Sequence, residues 1–87
     1  MCTMIAVTGP VAGMAKGPEG WFPVTQATVG YDHTNHSKDE HALLIDFTNY
    51  EIGIGARVAL ELDLDSGRAL LEQLQSAIAQ AEASGVH

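Results

Sequence analysis

The stretch WFPVTQATVGYDH (21–33), TNHSKDE (34–40) and HALLIDFTNY (41–50) decides the fold of this 87-residue chain. Over residues 21–33, Ala27, Val29, Tyr31 and His33 follow one alternation, and Gln26, Thr28, Gly30 and Asp32 follow the other. Over residues 41–50, His41, Leu43, Ile45 and Phe47 share one face, while Asp46 and Thr48 take the other. Period-2 patterning rich in β-branched and aromatic residues belongs to half-buried strands. The wholly polar segment between them predicts an antiparallel hairpin with residues 34–40 as its loop. That register pairs His33 with His41, Tyr31 with Leu43, Val29 with Ile45 and Ala27 with Phe47, which satisfies the core pattern. A slip of one residue would send His33 and His41 to opposite faces.

Working outward, Ile5 and Val7 mark a first strand over residues 3–8. The Gly- and Pro-rich segment Gly9–Gly20 reads as turns around a short extended piece. Asn49–Gly55 carries turn signals. Ala56–Asp63 then alternates, with Val58, Leu60 and Leu62 inward and Arg57, Glu61 and Asp63 outward. After Asp63 the period lengthens. Leu70, Leu71, Leu74, Ala77, Ile78 and Ala81 form one apolar helix stripe, opposite Arg68, Glu72, Gln73, Gln75 and Gln80. Asp63 or Asp65 suits the free amides of the first turn, and Gly85 is a ready stop. The expected fold is α+β, a single domain over residues 1–87. It is a four-stranded antiparallel meander with one C-terminal helix of about five turns packed on one face. The second sheet face mixes Phe22, Val24, Ala42, Leu44 and Ala59 with Thr28, Asp46 and Glu61. Such a face meets water or a second copy, which favours a homodimer.

Composition narrows the function classes. A chain this short builds one small core, and dimerisation commonly adds burial. Hydrophobic residues at 46% against charged residues at 17% describe a globular chain. Eleven Asp and Glu against four Lys and Arg leave a net charge of −7, which argues against nucleic acid and anionic membranes as partners. No apolar run approaches the roughly 20 residues that span a bilayer, and the N-terminus lacks the basic residues of a secretory signal. The single cysteine excludes an internal disulfide and suits a reducing cytoplasm.

Chemistry concentrates in residues 32–41, where His33, His36 and His41 stand beside Asp32, Asp39 and Glu40. Opposed hairpin residues place their Cβ atoms about 5 Å apart, near enough for His33 and His41 to share a metal. His36 or Glu40 would supply a third ligand, and Asp32 would orient the shell or act as a base. Two or three imidazoles with a carboxylate suit zinc, iron, copper or nickel. The spacing matches no zinc-finger or zincin motif. A solvated hairpin tip, or a patch that titrates near neutral pH, explains the same residues without a ligand. Cys2 is a more remote ligand, and a small residue at a strand end is the simpler reading of it. Trp21 and Tyr31 suggest a wall for a small apolar ligand held between sheet and helix, against the plainer role of capping a core. Asp46 reads as an outward carboxylate paired with Arg57. Gly53-Ile54-Gly55 lacks the following helix that a phosphate loop requires. No cofactor fingerprint and no acid–base pair outside the loop is recognisable, so no catalytic residue or substrate is named. Three readings stand side by side: a transition-metal site, a dimerising interaction module, and a binder of small apolar ligands.

Met1-Cys2-Thr3, the run Lys16-Gly17-Pro18-Glu19-Gly20-Trp21-Phe22, Tyr31-Asp32-His33, Glu40-His41, Asp46-Phe47 and Ala56-Arg57-Val58-Ala59 carry a resemblance. Together they resemble an uncharacterised family of short actinobacterial proteins, over nearly the whole chain. The resemblance implies a free-standing protein and transfers no catalytic residue.

Overall fold

A computed structural model describes residues 5–33 and 41–85, His33 through its backbone alone. The elements are β1 (Ile5–Gly17), β2 (Gly20–His33), β3 (His41–Thr48), β4 (Arg57–Leu62) and α1 (Leu64–Ala83). The strands pair antiparallel in chain order, which is the meander that short connections favour. The β2–β3 register is the one the alternation predicts, from Ala27 opposite Phe47 through to His33 opposite His41.

The first strand is longer than its sequence suggests. Residues 9–17, expected as turns around a short extended piece, continue β1 along β2 as far as Gly17 opposite Gly20. Between the pairs Pro10–Gln26 and Gly13–Val24, two residues of β1 oppose one of β2, a bulge that absorbs the irregularity. Pro10 is tolerated because β1 lies at the sheet edge, where a ladder can spare a missing N–H. Pro18 and Glu19 make the turn into β2. Gly20 follows it at φ 115°, a conformation that costs glycine no steric clash.

Register divides the sheet into two unlike faces. On one lie the rows Ile5–Tyr31–Leu43–Leu62, Val7–Val29–Ile45–Leu60 and Gly9–Ala27–Phe47–Val58, with no charged residue among them. The other face is mixed, with the buried Val24 and Ala42 beside Thr28, Asp46 and Glu61. Thr8 and Thr28 hydroxyls share a hydrogen bond of 3.0 Å, and the Arg57 guanidinium donates to both Asp46 oxygens at 2.8 and 3.2 Å. That fork holds the Arg57 pKa above its ordinary value, through the hydrogen bond and charge of Asp46. On an exposed surface such a pair contributes only about 0–1 kcal/mol.

Helix α1 starts where Asp63 accepts from the Ser66 N–H at 2.7 Å, an N-cap that keeps the Asp63 carboxyl below its ordinary pKa. It ends at Ser84, with Gly85 beyond at φ 78°. The first turns meet the apolar face closely. A Cβ at Gly67 would run into the Leu43 side chain, so glycine there allows the helix to approach the sheet. Beyond that contact the stripe is open. Leu71 and Leu74 are each 53% exposed and Ile78 56%, and no residue of α1 is buried. On the sheet, Ile5 is 50% exposed and Val7 69%. The uncovered apolar surface therefore lies on the face that the helix touches and on the helix itself, more than on the mixed face. Among the described residues the buried apolar side chains are Val24, Ala42 and Ala56. The chain exposes 6706 Å², whereas a compact chain of 9.2 kDa exposes about 4,900 Å². No helix among the described residues is long and apolar enough to cross a membrane.

Candidate functional site

Two places on the sheet bring chemically distinctive residues together, one at each end of β2. At the His33 end, the hairpin register sets His33 and His41 opposite each other. Tyr31 is the diagonal neighbour of His41. Their rings stack with centroids 5.7 Å apart and planes 20° from parallel. Asp32 pairs with Ala42 and so belongs to the other face of the sheet, because successive strand residues alternate. His36, Glu40 and Cys2, the other candidate ligands, lie outside the described residues, as does the His33 side chain. Among the described residues no group of three or more His, Cys, Asp or Glu is placed to hold a metal ion.

At the opposite end the β1–β2 turn and the β3–β4 loop flank a cavity of about 550 Å³, within the size range of small-molecule sites. Its walls come from Gly17–Phe22 on one side and from Ile52, Gly53, Gly55 and Ala56 on the other. The Phe22 ring lies across Gly17, where an added Cβ would sit 3.1 Å from Cε1. The loop wall is fixed by Asn49, which is buried. Its Nδ2 donates to the Pro23 carbonyl at 3.0 Å, and its Oδ1 accepts from the Glu51 N–H at 3.2 Å. Its backbone N–H donates to the Ala56 carbonyl at 3.0 Å, closing the loop on itself.

This placement separates the two aromatics that the sequence suggested as one pocket wall. Trp21 lines the cavity, but Tyr31 lies ten residues further along the same strand, about 33 Å away. No helix residue lines the cavity either, so it is not the expected space between sheet and helix. A signal for it exists in the topology. The first and third turns of a meander fall at the same end, and here they carry Gly17, Gly20, Gly53 and Gly55.

The chain matches, over residues 1–87, the model of a family of unknown function, DUF6295. It belongs to that family. No curated protein and no solved structure matches it. The family supplies no activity, so function rests on the surfaces and sites just described.

Proposed function

We propose that this protein is an interaction module that works by presenting the apolar sheet face and the α1 stripe to a protein partner. The observation that carries the reading is the exposure of Leu71, Leu74 and Ile78 on a helix with no buried residue. Monomeric proteins rarely leave a continuous apolar surface of this kind in water. A photo-reactive benzoyl-phenylalanine in place of Leu74, with the same group at Gln73 as control, tests it in living cells of the source organism. Irradiation should give a discrete protein adduct from position 74 and none from position 73. An absence of adducts at 74, or equal adducts at both, would remove the reading.

A second reading has its own support in the pairing of His33 with His41. We propose that these imidazoles bind a divalent transition metal (zinc, iron, copper or nickel), with His36 or Glu40 as third ligand and Cys2 a more remote one. Elemental analysis of untagged protein, purified without chelators, is expected to find near-stoichiometric metal that disappears in a His33→Ala/His41→Ala variant. Metal-free protein that takes up none on titration would end this reading.

A further inference from the structure

We infer that the occupant of the apolar face and helix stripe is a second copy of this chain, which makes the protein an obligate homodimer. The inference rests on the interaction reading above and names its partner.

Area is the first ground. The whole surface, polar residues included, exceeds that of a compact chain of this mass by about 1,800 Å², and the exposed Ile5, Val7, Leu71, Leu74 and Ile78 contribute to that excess; a standard interface takes about 800 Å² from each partner. The radius of gyration agrees, at 14.7 Å against about 12 Å for a compact chain of this length. The excess is of the size found in permanent assemblies, where an interface resembles a core cut in two.

Stability is the second ground. Val24, Ala42 and Ala56 are the buried apolar side chains among the described residues, and two of the three are alanine. Leu43, Ile45, Phe47 and Leu62 are only half-buried, so the chain alone completes little of the burial that holds a domain against its chain entropy. The missing apolar burial must come from a partner present whenever the chain is folded. Another copy meets that condition at the moment of synthesis, with no second protein to match in amount.

Charge is the third ground. Two chains at −7 each repel overall. The three apolar rows of the sheet hold no charged residue, and the stripe residues Leu71, Leu74 and Ile78 are uncharged. Asp65, Glu72 and Arg68 lie off that stripe on α1, and Glu82, four residues beyond Ile78, continues it only in the last turn. Self-association through the sheet rows and the part of the stripe before that turn therefore brings no like charges face to face, and the helix charges fall at the rim or at the helix end, where salt screens them. A twofold arrangement uses the same patch twice and closes, so that patch is not left to recruit a third copy.

Sedimentation equilibrium and thermal unfolding of the untagged full chain test this together. The expected mass is twice 9.2 kDa at micromolar concentration. The unfolding midpoint should fall by about 4 °C for each tenfold dilution, as for a dimer whose chains each unfold with about 0.7 kcal/mol of enthalpy per residue. Val7→Asp and Leu74→Asp should each shift the mass to a single chain or abolish folding. Where a charged variant does not fold, the wild-type dilution series decides. A single-chain mass with a midpoint independent of concentration overturns the second copy. A dimer that keeps its mass in both variants overturns the surface. An adduct at position 74 of a mass other than twice the chain leaves the interaction reading standing and removes the homodimer, so the two failures are distinguishable.

Discussion

Gly30→Ala is expected to lower the stability of the protein by about 2 kcal/mol, and Gly30→Val by more. The sign is the informative feature. A glycine inside a strand ordinarily costs chain entropy, so its replacement by alanine gains roughly 0.5–1 kcal/mol. Gly30 is different because a Cβ there would stand 2.5 Å from the Ile5 carbonyl oxygen, which is backbone and has no rotamer in which to escape. Making room means moving the start of β1 off β2, which strains the Ile5–Tyr31 and Ala6–Gly30 pairs. Gly9→Ala is the control. Gly9 lies in the same pair of strands with nothing within 4 Å of an added Cβ, so it should be neutral or slightly stabilising. Urea unfolding of the three proteins at one concentration gives the comparison. A lower midpoint for Gly30→Ala at an unchanged slope supports the close approach. A Gly30→Ala protein as stable as Gly9→Ala would show that β1 does not lie so near.

The strand pairing that creates this contact was only partly legible. The β2–β3 register could be read because alternation and a polar loop specify it together, and a slip would have put Ile45 and Phe47 on the face that carries Thr28 and Gln26. The Asp46–Arg57 pair was legible for similar local reasons, and the helix start was legible as Asp63 or Asp65, of which Asp63 is the cap. Residues 9–17 were not. Their glycines and Pro10 are turn signals taken alone, and only the pairing with 20–27 across the bulge makes them a strand. The helix stripe was readable as amphipathic, but amphipathicity says that a face will be covered and not by what. Leu71, Leu74 and Ile78 look the same in sequence whether they meet their own sheet or another chain.

The candidate sites divide the same way. His33 and His41 were paired by the register that fixed the hairpin, whereas no periodicity locates His36 or Glu40 in the connecting segment. Trp21 and Tyr31 were grouped only as aromatics beside a supposed sheet–helix space, and the rise of the strand puts them far apart. The cavity beside Trp21 depends on two loops distant in sequence, and its keystone, Asn49, is an ordinary turn residue until its amide is seen gripping β2.

That grip sets the second large effect. Asn49→Leu should cost about 2–3 kcal/mol, because it removes the donor to the Pro23 carbonyl and the acceptor for the Glu51 N–H in one step. The side chain is buried, so water does not replace both bonds without opening the loop. Asn49→Asp makes a sharper test. It keeps the acceptor toward Glu51, but when ionised it sets a carboxylate oxygen against the Pro23 carbonyl. Burial and that repulsion raise the folded-state pKa of the new carboxyl above its unfolded value near 4. The protonated form can still donate to Pro23. The stability it retains is therefore present at low pH, and is lost as pH rises from about 4 through the raised value. Relative to wild type, Asn49→Asp should be clearly milder at pH 4 than at pH 7, while the deficit of Asn49→Leu stays level. Trp21, the sole tryptophan, lines the cavity that Asn49 braces, so its emission should shift in both variants at pH 7. Equal deficits for Asn49→Asp at the two pH values would mean that its amide does not donate to Pro23. Unchanged Trp21 emission would mean that the loop wall stands without it.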